Sequence, residues 1–401
     1  MLTYDPADPA IRRDPFALFA RLQQDDPVHW SPSLRSWVLT RHEDVRQVML
    51  SASLSPDRLR PFYAQLQGER RELLSEVMRY LSLWMVFRDP PEHTRLRRLV
   101  GTVFNLKALE ALQPAVDRVV DQLFDALPVG RPVDWAQAVA MPLPAYVIMD
   151  MLGIAQADYP LLKAASDDLR AFVGSARADA DRYARARQGA VALADYFRHL
   201  IASRRQAPGE DFVSRMIAAR DDEGRLSEDE LVATCMLVLF AGHETTTHLL
   251  GNALHALLAH PQQMQRLRQQ PALIDSAVEE FLRFDGPSLS VARVVSAEHQ
   301  IAGRTLQAGD RVFAMVAAAN RDPAAFDSPQ ALDIGRSPNR HLTFGFGLHF
   351  CLGAPLARLE ARRCIGRLLQ RFERIGRAPG EPAWVDALVM RGLSSLPVQF
   401  D

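Results

Sequence analysis

Cysteine is scarce in this 401-residue chain: Cys235, Cys351 and Cys364 are the whole set. So few, and an odd number, cannot build a disulfide framework and suit a reducing cytoplasm. An excess of one charge is also missing. With 47 Lys+Arg against 48 Asp+Glu the net charge is -1, so bulk charge gives no nucleic acid or anionic membrane as partner. Long apolar runs are absent too: the longest, Cys235 to Gly242, falls well short of the ~20 residues a membrane span needs. The opening residues, Met1 to Asp14, lack both a basic and an apolar segment, so no signal peptide is expected. There is no repeat, low-complexity tract or linker-length break, and the chain reads as one domain over residues 1–401. At 48% hydrophobic and 24% charged residues it can bury a substantial core.

What is present is mostly helical periodicity. Pro15 to Gln24, Asp44 to Leu50, Glu69 to Trp84, a segment from Glu92, Ala108 to Leu127, Leu143 to Leu152, Tyr159 to Val173 and Asp181 to Arg205 read as helices. Val28 to Trp30 and Ser36 to Thr40 alternate like paired strands, as does much of Ser290 to Val316, with turns at Ala302-Gly303 and Ala308 to Asp310. Ser227 and Glu230 form a capping box that opens an apolar helix of ~33 residues, or ~50 Å, ending at His260-Pro261. Another helix spans Pro271 to Phe284, and one more runs to Arg374 before a β-like tail. The fold class is mainly α with a small β-rich lobe.

Four places carry chemistry. In Phe344 to Gly353 glycines and aromatics surround Cys351, just ahead of a helix start marked by Pro355. Helix-end N–H groups favour a thiolate there, which is the metal-binding form. Gly345 and Gly347 allow a tight turn close to a flat ligand. Cys351 is thus a candidate metal ligand, the alternative being a small buried hydrophobe in a glycine-rich hairpin. Midway along the long helix, Ala241-Gly242-His243-Glu244-Thr245-Thr246 breaks helix rules with a glycine, β-branched residues and a carboxylate in apolar surroundings. That is either a polar notch with Glu244 in an ion pair or a working acid beside a hydroxyl. A zinc-protease reading fails, because His243 and His248 are five residues apart rather than the four that HExxH requires. Glu280 and Arg283 share one helix face at i and i+3, and His93 and Arg97 another at i and i+4. Apart from these four, Arg358, Arg362, Arg363 and Arg367 cluster on the helix after Cys351, as either a basic docking face or a solvated one.

Phe344, Gly347, His349, Cys351 and Gly353 match position for position the haem-binding signature of the cytochrome P450 family, the haem-thiolate monooxygenases. The other three motifs follow the family's order, so the chain resembles the anchorless bacterial members along essentially its whole length. The resemblance implies a triangular-prism fold with haem b between the long helix and the helix after the cysteine loop. It implies Cys351 as axial ligand; His93, Arg97, Arg293 and His349 as partners of the haem propionates; and Phe344, Gly347 and Gly353 as loop residues. Ala241 and Gly242 would leave room over the haem, while Glu244 and Thr245 would hydrogen-bond dioxygen and deliver protons for O–O cleavage. Glu280 and Arg283 would hold the haem-side core. Their usual arginine partner is missing near Ala331 to Asp333, with Arg336 the nearest replacement. Substrate would be lined by Leu83, Trp84, Met85, Val86, Leu237, Val238, Leu289, Ser290, Val291 and Leu393, mostly apolar, which fits an apolar or amphipathic small molecule. A thiolate ligand favours O–O cleavage over oxygen carriage. The implied activity is hydroxylation or epoxidation by O2 in secondary metabolism, in a cytoplasmic monomer. Electrons would come from a ferredoxin and its reductase. The alternatives are peroxide use, desaturation, coupling, or a non-catalytic haem sensor.

Overall fold

Ser227 and Glu230 do form the reciprocal cap the sequence predicts: the Ser227 N–H donates to Glu230 Oε2 at 2.8 Å and the Glu230 N–H donates to Ser227 Oγ at 3.2 Å. The 32-residue helix they open, Glu228–Ala259, is the longest element of the computed structural model, which describes residues 2–173, 181–219 and 224–401. The chain divides into two compact units. One comprises Met1–Leu54, Val116–Pro144 and Glu244–Asp401; the other comprises Ser55–Ala115 and Ala145–His243. Both are mainly helical, with the strands concentrated in the first.

Six helices carry the side chains that matter for function: α1 (Phe16–Asp25), α2 (Glu92–Val103), α3 (Pro142–Leu152), α4 (Glu228–Ala259), α5 (Ile274–Asp285) and α6 (Ala354–Arg371). In the first unit, strands β1 (Val28–Ser31), β2 (Ser36–Leu39), β3 (Val291–Val295) and β4 (Arg311–Ala314) lie in the order β1-β2-β4-β3. β1–β2 and β3–β4 are antiparallel, whereas β2–β4 is parallel, joining Trp37 to Val312 and Leu39 to Ala314. The alternation was legible in sequence; the parallel pairing of segments so far apart was not. One face of the sheet packs into a core of Val28, Leu39, Val45, Leu306, Val312 and Leu342. In the second unit, helices Tyr159–Val173 and Arg182–Gln206 pack together through small residues. A Cβ at Gly189 would lie 2.4 Å from the Ala165 carbonyl oxygen, so only glycine allows that approach.

Two expected helices are shorter than their periodicity. Ala108 to Leu127 divides into Leu106–Glu110 and Gln113–Asp125, the second starting beside Pro114, which lacks the N–H an uninterrupted helix needs. Glu69 to Trp84 divides into Gly68–Leu73 and Ser75–Leu81.

Candidate functional site: a cysteine loop and a notched helix

Cys351 sits two residues before Gly353, the N-cap of α6, and is half-buried. Its N–H donates to the Phe344 carbonyl at 2.8 Å, closing the loop on itself. Gly345 and Gly347 take φ of 75° and 70°, the left-handed conformation the turn needs. The other two cysteines are buried, and burial pushes Cys235 up to about 12 and raises Cys364 as well, so both stay protonated at neutral pH. Cys351 is left as the accessible thiol. Among the described residues no three His, Cys, Asp or Glu side chains gather to hold a metal, and the haem that the resemblance implies needs only Cys351 from the chain. The surroundings fit it: Phe346, Leu348 and Phe350 are exposed apolar side chains in the same loop, and a Cβ at Gly353 would lie 3.9 Å from Cys351 Sγ.

Through the middle of α4, Leu231 to Leu254, burial is nearly continuous except at one place. Leu231 to Phe240 and Thr246 to Leu254 are buried with a single exception, while Ala241 is exposed and Gly242, His243, Glu244 and Thr245 are half-buried. The helix therefore has an accessible notch where the sequence set its acid and hydroxyl. Gly242 serves packing: a Cβ there would meet Ile148 Cδ1 of α3 at 2.5 Å. The open side is at Ala241. The two histidines have unrelated tasks, with the His243 ring bonded to the Leu239 carbonyl at 2.7 Å and burial lowering its pKa, and His248 buried against Gly392.

Glu280 and Arg283 of α5 are fully buried and paired twice, Nε to Oε2 and Nη2 to Oε1, both at 2.7 Å. Arg283 also donates to the carbonyls of Asn320, Pro329 and Ala331. Glu280 accepts from the Asp333 N–H, from Asn339 and from Arg336 Nε at 3.1 Å. Arg336 thus completes a three-membered network despite its displaced position in sequence.

His93 is buried near the start of α2, and burial followed by the Arg97 charge holds its pKa down, so the imidazole is neutral beside a cationic guanidinium. Arg95 on the same helix pairs with Glu230. Arg293 is buried in β3, donating to its own neighbour's Ala292 carbonyl at 2.9 Å, and His349 ends the short 3₁₀ turn Gly347–His349. Of the residues expected to line substrate, Leu83, Met85, Val86, Val238 and Val291 keep exposed surface. Trp84, Leu237, Leu289, Ser290 and Leu393 are buried in protein packing: Trp84 stacks on Phe87, Leu289 joins a core with Phe19 and Met315, and Ser290 Oγ donates to the Leu388 carbonyl at 2.8 Å.

The arginine cluster of α6 is not a basic face. Arg358 pairs with Glu279, Arg362 with Asp275, Arg363 with Asp117, and Arg367 with Asp117 and Asp121. Each positive charge is matched locally, so the cluster supplies little field to steer an acidic partner. Sequence reasoning missed Glu360 on the same helix. Its carboxyl is fully buried, neither oxygen has a partner in hydrogen-bond geometry, and burial pushes its pKa up to about 8 against the opposing Thr246 hydroxyl. The only signal for it was a glutamate on the apolar stripe with Leu356 and Leu359.

Residues 67–378 match the family model of cytochrome P450. The chain is 35% identical to cytochrome P450 107B1 of Saccharopolyspora erythraea, over 98% of this chain and 96% of that one. It is 38% identical to the vitamin D(3) 25-hydroxylase of Pseudonocardia autotrophica, over 96% and 94% of the two chains. Among solved structures CalO2 superposes with a TM-score of 0.92 at 33% identity, over 100% of this chain and 99% of that one. A family match over most of the chain, end-to-end relatives and a shared fold agree with the cysteine loop and the notched helix: the chain belongs to the cytochrome P450 family and is a P450 monooxygenase.

Proposed function

We propose that the protein acts as one domain over residues 1–401 that binds haem b through Cys351 and hydroxylates or epoxidises an apolar or amphipathic small molecule of secondary metabolism. Electrons come from a ferredoxin and its reductase, and the enzyme works as a monomer in the cytoplasm. The observation that carries this reading is the accessible notch at Ala241 to Thr245 within the buried stretch Leu231 to Leu254. Thiolate-bound haem supplies the O–O cleavage and C–H oxidation chemistry. The chain's own part is to hold the cofactor and to manage protons. The neutral His93 imidazole and the Arg97 and Arg293 guanidiniums bind carboxylates, with His349 as a fourth donor. Glu244 takes protons from solvent at the notch and Thr245 Oγ passes them inward, while Ala241 leaves space for a small ligand beside them. Leu83, Met85, Val86, Val238 and Val291 offer apolar surface to the substrate.

Relatives support a bulky, largely apolar substrate. One at 34% identity is a polyketide-biosynthesis P450 of Bacillus subtilis, and the vitamin D(3) 25-hydroxylase is another. The neutralised arginines of α6 leave little charge for the donor to dock on. The reduced carbon monoxide complex should show the thiolate-type Soret band, and Cys351→Ser should abolish it; a retained band would refute the ligand. Thr245→Ala should keep the band yet divert reducing equivalents to peroxide, with product per electron falling roughly ten-fold or more. Unchanged coupling would remove Thr245 from the proton path.

A further inference from the structure

Within the first unit, a cavity of about 700 Å³ opens between α1, the C-terminal end of α4 and the segment around Trp384 and Arg391. None of the residues assigned to haem, dioxygen or substrate lines it. Its floor is unusual in charge. Arg321 is 8% exposed and has its guanidinium carbon 3.5 Å from the ring centroid of Phe16 and 4.0 Å from that of Phe284. Its Nε and Nη2 donate to the Phe284 carbonyl at 2.8 and 2.6 Å, and its Nη1 donates to Gln330 Oε1 at 3.0 Å. These acceptors are all neutral. They use three of the five N–H donors of a guanidinium and leave one on each terminal nitrogen.

Arg391, also buried, lies 3.9 Å over the Trp384 ring and is the arginine that Asp285 satisfies, at 2.5 Å. Arg321 makes no ion pair of its own among the described residues, and Asp285 and Asp14 act on it only at longer range. At the rim Arg13 and Arg377 are balanced by Asp14 and Glu381, so the floor sets the sign of the cavity. Burial holds Arg321 down to about 10, with the Asp285 charge opposing, which leaves it cationic at neutral pH. A buried cation short of a counter-charge is costly to keep, and a bound anion relieves that cost. Trp384, Phe16 and Phe284 make the walls aromatic, and two N–H donors on one planar group suit a carboxylate's two oxygens.

We propose that this cavity is a second small-molecule site, separate from the haem site, which binds an aromatic carboxylate with its carboxylate on the terminal nitrogens of Arg321 and its ring beside Trp384. The site is independent of which substrate the monooxygenase oxidises.

The test uses the haem-loaded protein and 1-naphthoate as probe, with the neutral 1-naphthamide as control. Binding is followed by isothermal titration, by Trp384 fluorescence referenced to Trp384→Phe, and by the Soret band. Naphthoate should bind with quenching that Trp384→Phe removes, at least ten-fold more tightly than naphthamide, and without moving the Soret band. Arg321→Gln should weaken binding at least ten-fold. Because Arg321 also braces the Phe284 carbonyl, Ala259→Trp serves as the second variant: it fills the cavity from the exposed end of α4, leaves the arginine in place, and should weaken binding to a similar degree. Absence of naphthoate binding, equal affinity for naphthamide, undiminished binding in Ala259→Trp, or binding seen only together with a low-to-high-spin Soret shift would each overturn the site.

Discussion

At the scale of single residues, the informative feature is how burial sorts chemically equivalent groups. Three thiols share one side chain, yet burial raises Cys235 and Cys364 while Cys351 stays half-exposed at a helix start. Carboxyls divide in the same way. Glu279, although burial pushes it upward, is brought down to about 2 by hydrogen bonds from Arg358 and His341, whereas Glu360, with nothing but the Thr246 hydroxyl to oppose burial, rises to about 8. This fixes the sign of the pH effect. A carboxyl whose folded pKa exceeds its unfolded value binds a proton more tightly when folded, so its contribution is complete below about 4.5 and is lost as pH rises through about 8. Glu360→Gln, which is neutral throughout, should raise the melting temperature only slightly at pH 5 and by a few degrees at pH 8.5, checked by calorimetry of the two holoproteins at both values. A uniform shift at both pH values would show that Glu360 does not titrate on unfolding.

At the scale of elements, α5 and the segment after it show how a network is built from partners that sequence separates. Glu280 and Arg283 are three residues apart and were legible as a pair; Arg336 reaches the same carboxylate from 56 residues away. A buried ion pair is stabilising relative to its broken form, because removal of one member leaves an uncompensated charge. Arg283→Ala should therefore cost ~3–5 kcal/mol in denaturant unfolding of the holoprotein. Arg336→Ala, which leaves Glu280 still paired, should cost ~1.5–3 kcal/mol, as for a hydrogen bond to a charged group. A neutral Arg336→Ala would mean that Arg283 alone satisfies the carboxylate. The arginines of α6 teach the converse: four in one helix look like a basic face until Asp117, Asp121, Asp275 and Glu279 are seen to answer them.

At the scale of the whole molecule, the cofactor that the cytochrome P450 family implies couples binding to folding. A ligand that binds only the folded chain stabilises it in proportion to the logarithm of its concentration over Kd. Stripping haem should lower the melting temperature, and added haemin should restore it. Cys351→Ser should melt like the wild type when both are stripped, but recover less on adding haemin. Equal recovery would show that the thiolate adds nothing to retention.

The sequence by itself determined the features that act over a few neighbouring residues: the Ser227 cap, the notch at Ala241 to Thr245, the glycine turn before Cys351, and the Glu280–Arg283 spacing. Such patterns are local because helix geometry brings residues three and four apart together. Together with the resemblance to P450s, they were enough to reach the family. Tertiary structure decided whatever depends on partners that only folding makes neighbours: the parallel β2–β4 pairing, the burial of five expected substrate-lining residues, Arg363 meeting Asp117 across 246 residues, the isolation of Glu360, and the pairing of Asp285 with Arg391 rather than Arg321. The physical reason is the same in each case. A charge or a hydrogen-bonding group is defined by what desolvates it and what answers it, and neither is written in its own stretch of chain.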